Sequence, residues 1–331
     1  MKTKEVTSYI YGPVPSWRLG RSLGVDIVPF KICSFNCIYC ETGRTTNLTI
    51  ERKEYVSKAP VIEELKAFLS KRKNIDYITF SGSGEPTLNS KIGEMINEVK
   101  KLTDIPVAIV TNSSLLNKEE VRRELREADV VIPSLDVVSQ SIFESLNRPH
   151  PSLKIEEIIN GLIELRKEFK NKIWLEVLLV KGINDGPEEI RKLAEVIEKI
   201  RPDKVQLNTV LRPPAEEEVF ALSQKELRSI QRKLPGKVEV VRKFKKVLNG
   251  EHIEKLETDI KNLLKRRPCT LSDISSALRV NPKEVMKNLT ILEGRTEIRA
   301  ELHNKKRYYI STRQSKRVEG SYSKKDGQDD R

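Results

Sequence analysis

Residues 23–40 read Leu-Gly-Val-Asp-Ile-Val-Pro-Phe-Lys-Ile-Cys-Ser-Phe-Asn-Cys-Ile-Tyr-Cys, so that an apolar run leads directly into three closely spaced cysteines. Cys33, Cys37 and Cys40 have the spacing C-x3-C-x2-C, and the chain has one other cysteine, Cys269. Three thiolates on one tight loop can hold three irons of a cubane 4Fe–4S cluster and leave the fourth iron open to a ligand. The segment therefore predicts a cluster that takes part in chemistry.

Other uses of these cysteines have to be weighed. A buried cysteine can act simply as a small apolar side chain, and a structural zinc site usually has four ligands in paired C-x2-C halves. The sequence has no second cysteine pair, and His150, His252 and His303 are all distant from the loop in sequence. A disulfide framework is typical of much shorter secreted domains. The pattern favours an iron–sulfur cluster, with zinc or plain packing as the alternatives.

Apolar strand-like runs alternate with amphipathic stretches from about residue 23 to about residue 241. The predicted strands are Leu23–Pro29, Ile75–Ser81, Val107–Thr111, Val130–Leu135, Ile173–Val180 and Lys204–Thr209. The predicted helices are Val61–Arg72, Lys91–Leu102, Lys118–Arg126, Ile155–Phe169, Pro187–Ile200 and Gln224–Lys233. Strands that are rich in Val and Ile and almost continuously apolar are typical of parallel sheets covered on both faces.

Six successive βα units predict an α/β fold with a parallel sheet and right-handed crossovers. Periodicity alone does not separate a doubly wound sheet from an incomplete barrel. In both architectures ligands bind at the carboxyl ends of the strands. The cysteine loop directly follows the first predicted strand, so it lies at that end.

Several predicted strands are followed by glycine or polar residues. Gly82-Ser83-Gly84-Glu85 follows the second strand, and its glycines allow the backbone to approach a ligand closely. Polar residues near the ends of later strands either cap the next helix or face the ligand; they are Asn112, Ser134, Asp136 and Asn208.

Two further residues are candidates for chemistry. Glu176 lies inside an apolar strand, where a carboxylate is costly unless it is paired or functional. His150 is the best candidate for proton transfer among the loop residues of the same face. Arg18, Arg148 and Arg212 lie on loops that could clamp phosphate or carboxylate, with simple solvent exposure as the alternative.

The character of the chain changes after about residue 250. Three helices are predicted, over Leu256–Arg266, over Thr270–Leu278 and from Asn281 to about Leu292, and two β-like stretches follow at Thr296–Leu302 and Arg307–Ile310. The sequence therefore predicts a large domain at 1–250 and a small domain at 251–312. Residues 313–331 are polar and charged, which predicts a disordered tail.

The composition limits the classes of partner. Of the 331 residues, 37% are hydrophobic and 33% are charged, with a formal net charge of +13. A basic excess favours polyanionic partners, although a generally basic protein is the alternative. No apolar run is long enough to span a membrane. The start of the sequence has no apolar signal core, and together with reduced cysteines this predicts a cytoplasmic protein.

The cysteine loop, with Tyr39 before the last cysteine, resembles the cluster loop of the radical S-adenosylmethionine (radical SAM) superfamily. The resemblance implies a partial (βα)6 TIM-like barrel, a 4Fe–4S cluster on Cys33, Cys37 and Cys40, and SAM on the open iron. It also implies that SAM is cleaved reductively to a 5′-deoxyadenosyl radical, which abstracts hydrogen from a substrate. The electron would come from a donor such as ferredoxin or flavodoxin.

The same resemblance implies roles for the polar strand ends. Gly82, Ser83, Gly84 and Glu85 match a Gly-Gly-Glu-Pro segment that binds the amino group of SAM, with Ser83 and the extra Gly84 as a mild departure from the pattern. The further residues implied in cofactor binding are Tyr39, Asn112, Ser134 and Asn208. Asp136 could serve SAM or substrate, and the catalytic residue stays unassigned, with Asp136, His150 and Glu176 as the candidates.

Three segments together resemble a particular branch of the superfamily. They are Gly12-Pro-Val-Pro-Ser16, Val28-Pro-Phe-Lys-Ile-Cys33 and Gly84-Glu-Pro-Thr-Leu88. This ensemble resembles the iron–sulfur oxidoreductases related to wyosine-forming tRNA enzymes over about residues 8–215. Those tRNA enzymes carry additional cysteines before the loop, and this chain has none there, which argues against the same reaction.

The small C-terminal domain resembles a winged helix-turn-helix, whose third helix and hairpin tip usually contact nucleic acid. The predicted basic footprint is Lys283, Lys287, Arg295, Lys305, Lys306 and Arg307. The basic net charge and the resemblance to a winged helix favour tRNA or another nucleic acid as substrate. The alternative is that the winged helix contacts protein. Two rival functions stay open: a glycyl-radical activase acting on a partner protein, and an iron–sulfur redox sensor that binds DNA.

Overall fold

The computed structural model describes residues 8–71, 74–240 and 256–312. Its strands are β1 (Ile10–Ser16), β2 (Gly20–Val25), β3 (Ile32–Cys33), β4 (Asn47–Leu48), β5 (Tyr77–Phe80), β6 (Val107–Thr111), β7 (Val130–Pro133), β8 (Lys172–Leu179), β9 (Lys204–Thr209), β10 (Val238–Val240), β11 (Cys269–Thr270), β12 (Ile298–His303) and β13 (Lys306–Ser311).

The α-helices are amphipathic and alternate with the strands. They are α1 (Lys58–Leu69), α2 (Ile92–Leu102), α3 (Glu119–Glu124), α4 (Gln140–Leu146), α5 (Ile155–Glu168), α6 (Pro187–Ile200), α7 (Gln224–Gln231), α8 (Leu256–Leu264), α9 (Leu271–Leu278) and α10 (Pro282–Gly294). Helix α6 shows how the sequence sets them: Gly186 and Pro187 form its start, and the apolar residues Ile190, Leu193 and Ile197 recur at helical spacing and are buried.

An eight-stranded sheet organises the larger part of the chain, in the order β1-β2-β5-β6-β7-β8-β9-β10. Strand β1 pairs antiparallel with β2, and every other neighbouring pair in this sheet is parallel. Each strand therefore lies beside the next one along the chain, whereas a doubly wound sheet reverses its order at a switch point. The predicted α/β class with a mostly parallel sheet is confirmed, and the order is that of a singly wound sheet.

Most predicted elements agree with the structure, and the main difference is at the start of the sheet. Strands β6 and β9 and helix α6 have the predicted bounds. The first strand, predicted at Leu23–Pro29, lies instead at Gly20–Val25, because it begins as the second half of a hairpin with the unpredicted strand β1. Strand β10 at the opposite edge was also not predicted.

The inner face of the sheet is apolar near the amino ends of the strands. Ala108, Val130, Ile132 and Trp174 form a separate buried cluster there, and Leu19 from the turn between β1 and β2 packs against it. The outward-facing residues of the same strands pack against the helices in the main core. With the amino end filled in this way, polar side chains collect toward the carboxyl end.

Residues 256–312 form a second unit with its own apolar core, here called the C-terminal unit. Its core includes Ile260, Ile274, Leu289 and Tyr309, and Val14 of β1 joins the same cluster. Its sheet has the order β11-β13-β12; β11 lies between α8 and α9, and β12 and β13 follow α10. Strands β12 and β13 are joined by Asn304 and Lys305, both with positive φ, as a two-residue hairpin turn requires.

Some predictions concern parts of the chain outside the described residues. These are the domain boundary at 250/251, His252 and the tail at 313–331. Among the residues that are described, no helix is both long enough and apolar enough to cross a membrane.

Candidate active site

The cysteine loop lies at the carboxyl end of β2 and is fastened by its backbone. Cys33 belongs to β3, which pairs with β4. The amides of Asn36 and Ile38 donate to the carbonyls of Asn147 and Leu146, each at 3.0 Å, and so tie the loop to the end of α4. Cys33, Cys37 and Cys40 are all free thiols and half-buried.

Each of the three sulfurs accepts a hydrogen bond from a different element. Lys31 Nζ donates to Cys40 Sγ at 3.2 Å. Asn112 Nδ2, just after β6, donates to Cys33 Sγ at 3.5 Å, and Asn147 Nδ2, just after α4, donates to Cys37 Sγ at 3.5 Å. Hydrogen bonds to the sulfurs are one of the means by which proteins set the potential of an iron–sulfur cluster.

The three thiols differ in their readiness to ionise. Burial alone would raise the pKa of Cys40, but the ammonium of Lys31 and the hydroxyl of Thr42 outweigh it and lower that pKa. Burial raises the pKa of Cys33 to about 11, and burial also raises the pKa of Cys37. Metal binding requires thiolates, so Cys33 and Cys37 would need the positive charge of a bound metal to lose their protons.

The arrangement of the donors suits a cluster better than a single ion. Across residues 8–71, 74–240 and 256–312, no three His, Cys, Asp or Glu side chains converge as the ligands of one ion would. A cubane cluster makes a different demand, because each thiolate binds its own iron at a separate corner. Three separated thiols on one loop fit that demand.

The glycine-rich segment Gly82–Glu85 lies directly against the cysteine loop. The Lys31 amide donates to the Ser83 carbonyl at 3.1 Å, and the Glu85 amide donates to the Ile32 carbonyl at 3.2 Å. A Cβ atom at Gly84 would stand 2.0 Å from that Ile32 oxygen. Only glycine allows this approach of the two backbones.

Glu85 supports the segment through its carboxylate. This buried carboxylate accepts hydrogen bonds from the Thr87 amide and hydroxyl, from Thr111 Oγ1 at 2.7 Å and from the Asn112 amide at 2.7 Å. Burial raises its pKa, although these bonds oppose the rise. The side chain of Glu85 thus connects the ends of β5 and β6. Because its carboxylate is used in these bonds, a ligand at this segment would be bound by the backbone.

Four of the predicted site residues line one small cavity of about 50 Å³. They are Tyr39, Asn112, Ser134 and Asp136. The Tyr39 hydroxyl donates to the Asp136 carboxylate, which also accepts from Asn147 Nδ2 at 3.2 Å and from the Leu178 amide at 2.9 Å. Burial raises the pKa of Asp136 to about 6.

Glu176 lies on the inner face of the sheet and is ion-paired. Its carboxylate is 2.5 Å from Arg18 Nη1 and accepts a hydrogen bond from Asn208 Nδ2 at 3.0 Å. Arg18 reaches it from the turn between β1 and β2. The neighbouring Gln206 is fully buried, and its amide has no hydrogen-bond partner among the described residues. This face can therefore accept a polar ligand.

His150 faces a different cavity. It lines a surface cavity of about 450 Å³ together with Asn36, Gln140 and Arg148. Its Nδ1 is 2.8 Å from the Ser152 hydroxyl. The structure thus brings Asp136 to the cysteine loop and Glu176 to the inner face, and it places His150 on a separate surface.

Sequence reasoning missed two residues that contact the sulfurs, Lys31 and Asn147. Lys31 is buried and has a left-handed backbone (φ 60°). Its position two residues before Cys33 inside an apolar stretch was a usable signal. Asn147 is 110 residues from Cys37, and no local pattern connects them.

Comparisons with known proteins agree with this site. Residues 27–197 match the family model described as the radical SAM superfamily. The chain is 40% identical, over 92% of its length, to GTPase Obg of Brachyspira hyodysenteriae, and it covers 45% of that relative. It is 37% identical to UPF0026 protein MJ1312 of Methanocaldococcus jannaschii, over 72% of this chain and 70% of the relative.

One solved structure has a comparable fold. The crystal structure of a radical SAM methyltransferase from Sphaerobacter thermophilus superposes with a TM-score of 0.51 at 17% identity, and the match covers 67% of each chain. At this identity the likeness concerns the fold alone.

The family can be decided from these matches. The name GTPase refers to a relative of which the chain spans less than half, and this sequence has no G-x-x-x-x-G-K-[ST] phosphate-binding motif. The family model, in contrast, matches more than half of the chain and includes the cysteine loop. The cofactors of that family are a 4Fe–4S cluster and S-adenosylmethionine. The chain belongs to the radical SAM superfamily.

Proposed function

We propose that Cys33, Cys37 and Cys40 hold the 4Fe–4S cluster and that SAM binds beside them, between the cysteine loop and the inner face of the sheet. When bound and reduced, this pair of cofactors supplies a 5′-deoxyadenosyl radical that abstracts hydrogen from a substrate. One observation carries the proposal. Three thiols, each with its own nitrogen donor, lie on one loop, and the backbone of that loop contacts a segment whose Gly84 leaves no room for a side chain.

The chain's own residues seat and shield the cofactors. The backbone of Gly82–Glu85 presents carbonyl and amide groups to SAM, while the Glu85 carboxylate keeps that backbone in place. The other residues proposed for SAM are Tyr39, Asn112, Ser134 and Asn208. Asp136 fixes the Tyr39 ring through its hydroxyl, so we assign Asp136 a positioning role beside the cluster.

The proposal also covers the type of barrel and the division of the chain into domains. We assign the singly wound sheet to a partial (βα)6 barrel, because six of its seven parallel strands, β2 and β5–β9, are each followed by a helix in chain order. Residues 1–250 are assigned to the radical SAM core, and residues 251–312 to a winged helix-turn-helix.

The substrate is proposed to be tRNA or another nucleic acid. Support comes from the net charge of +13 and from Lys283, Lys287 and Lys305, which are exposed on α10 and at the hairpin tip. The two arginines of the predicted footprint are already paired: Arg295 with Glu257 at 2.9 Å and Arg307 with Glu293 at 3.0 Å. The lysines are therefore the main phosphate contacts of this proposal.

An anaerobic assay tests the chemistry. The protein is reconstituted with iron and sulfide and given dithionite and SAM, and 5′-deoxyadenosine is measured. We expect product, and a change in the EPR signal of the reduced cluster when SAM is added. A fully loaded cluster that shows neither would contradict the proposal and favour the redox-sensor alternative, which predicts no SAM affinity. Replacing dithionite by reduced ferredoxin or flavodoxin then tests the electron donor.

A further inference from the structure

The C-terminal unit contacts the larger part of the chain at two places. At the first, Val14 of the edge strand β1 is part of the unit's apolar core. At the second, the Tyr308 hydroxyl donates to the Leu211 carbonyl at 2.8 Å, two residues after the carboxyl end of β9. The unit therefore touches both the edge strand β1 and the loop after β9.

Arg266, which follows α8, is the buried charge at this contact. Its side chain is 9% exposed and its Nη2 donates to the Ser8 carbonyl at 2.7 Å. Its guanidinium lies over the Tyr11 ring, 4.4 Å from the ring centre. Its Nε is 3.5 Å from Asp26 Oδ2, and the Asp26 side chain is equally buried. The C-terminal unit thus places a cation on the core.

Asp26 connects that cation to the glycine-rich segment. The same Oδ2 atom accepts hydrogen bonds from Ser83 Oγ at 2.8 Å and from the Ser83 amide at 3.2 Å. A Cβ atom at Gly82 would stand 2.2 Å from the Asp26 carboxyl carbon, so the two residues are in close contact. Ser83 is part of the departure from the family pattern, and its hydroxyl binds Asp26.

The ion pair with Arg266 favours the ionised form of Asp26, whose carboxylate accepts the two hydrogen bonds from Ser83. Burial raises the pKa of Asp26, and Arg266 opposes that rise. A buried carboxylate that lost its cation would be uncompensated, and it would take up a proton or draw in water. Either change would disturb the two hydrogen bonds to Ser83.

A second contact lies on the cluster side. Glu41 directly follows Cys40, and its carboxylate is 2.8 Å from Arg212 Nη1. Arg212 is next to Leu211, the residue whose carbonyl accepts from Tyr308. The C-terminal unit is therefore connected to the glycine-rich segment through Asp26, and to Glu41 through the loop that contains Leu211 and Arg212.

We infer that Arg266 of the C-terminal unit is a positioning residue for the SAM site, which holds Gly82–Glu85 in place through Asp26 and Ser83. The identity of the ligand as SAM rests on the proposed function; the positioning of the segment does not. The unit then acts on the chemistry through a buried contact, in addition to any partner that its outer surface binds.

The test compares Arg266→Met with a matched control in the reconstituted full-length protein. Arg299→Met is the control, because Arg299 is an exposed arginine of the same unit that pairs with Glu301 on its own strand. For Arg266→Met we expect amide hydrogen exchange of residues 81–86 to be roughly tenfold faster, because breaking a buried pair leaves Asp26 uncompensated. SAM, measured by calorimetry, should bind roughly tenfold more weakly, and iron content should be unchanged.

Two further variants keep the test decisive if Arg266→Met folds poorly. Arg266→Lys keeps the charge and should recover part of the SAM affinity. Asp26→Asn removes the partner charge and should speed exchange at residues 81–86 in the same way, and the double variant should be less than additive.

Exchange of residues 81–86 at the wild-type rate in a folded Arg266 or Asp26 variant would overturn the inference. Failure of the proposed function would look different. In that case the wild-type protein, with its cluster loaded, would not bind SAM, while the exchange measurement would still report whether Arg266 holds the segment.

Discussion

The cysteine loop and the C-terminal unit place their charges differently. Around the loop, Lys31 and Asp136 are buried; Lys31 binds Cys40 of the same loop, and Asp136 binds Tyr39 from the end of β7. On the C-terminal unit, Arg295 and Arg299 are exposed and pair with carboxylates of the same unit. Buried contacts of this kind fix geometry, whereas exposed ion pairs contribute at most about 1 kcal/mol each. The comparison supports the chemistry proposed at the loop, and it singles out Arg266 as a charge of the unit that is buried against the core.

The largest expected effect comes from removing a cysteine of the loop. Cys37→Ala removes one of the three thiols of the loop, and the fourth cysteine of the chain, Cys269, lies in the core of the C-terminal unit. We expect the variant to lose the 4Fe–4S absorbance and to make no detectable 5′-deoxyadenosine. Cys269→Ala is the matched control, because Cys269 is buried in the C-terminal unit. A variant of Cys37 that retained a cubane cluster and SAM cleavage would contradict the assignment of the loop.

The next largest effect is expected at Gly84. In Gly84→Ala the new methyl group would stand 2.0 Å from the Ile32 carbonyl oxygen, so the glycine-rich segment has to separate from the cysteine loop. We expect a loss of about 4 kcal/mol in the free energy of unfolding. SAM binding should weaken by at least about tenfold, since a 1.4 kcal/mol change is already tenfold. Urea unfolding and calorimetry measure the two quantities.

Gly186→Ala provides the control for that substitution. Gly186 precedes α6, and a Cβ atom there meets no other atom within 4 Å. Because Gly186 is the N-cap of α6 and alanine is a poorer N-cap than glycine, its unfolding free energy should fall by about 1 kcal/mol at most, well short of the loss at Gly84. If both alanine variants behaved alike, close backbone contact at Gly84 would not be the reason for glycine there.

Asp136 gives the pH dependence expected of a buried carboxyl. Because its pKa is raised to about 6 from 3.8, the folded chain keeps a proton that the unfolded chain releases between about pH 4 and pH 6. Stability should therefore fall as the pH rises through that window. Asp136→Asn removes this loss, and at pH 7.5 the variant should be more stable than the wild type by about 2–3 kcal/mol.

The measurement is urea unfolding of the cluster-free chain at pH 4.5 and pH 7.5. The advantage of Asp136→Asn should nearly vanish at the lower pH, where the carboxyl of the wild type is protonated. Asp104→Asn, at an exposed position after α2, is the control. If Asp136→Asn raised the free energy of unfolding equally at both pH values, ionisation of the buried Asp136 carboxyl would not be the cause of the gain.

The sequence predicted what depends on neighbours along the chain. The three cysteines and Gly82–Glu85 are recognisable from spacing, and β6 and β9 have the predicted bounds because their apolar runs are continuous. Strand β1 was missed because Gly12, Pro13 and Pro15 indicate a turn, although an edge strand tolerates them. Contacts between distant residues could not be predicted, since no periodicity relates Asn147 to Cys37 across 110 positions.

The smallest expected effect concerns the exposed charges of the C-terminal unit. We expect the triple variant Lys283→Ala, Lys287→Ala and Lys305→Ala to bind bulk tRNA a few-fold more weakly at moderate salt. Each lysine that contacts a phosphate should lower the slope of log affinity against log salt by about 0.7–0.9. Filter binding over a range of salt concentrations measures that slope, and SAM affinity should stay unchanged because these side chains are exposed and take no part in the contact between Arg266 and Asp26.

A charge-matched control separates the unit from the overall basic charge. The control carries alanine at three exposed lysines on helices of the larger domain, namely Lys101, Lys167 and Lys192. It loses the same net charge, so it should weaken nonspecific attraction slightly and leave the salt slope near the wild-type value. If the two triple variants lost equal affinity and equal slope, the exposed lysines of the C-terminal unit would not form a nucleic-acid site. The contribution of the unit to function would then reside in its buried contact with the core.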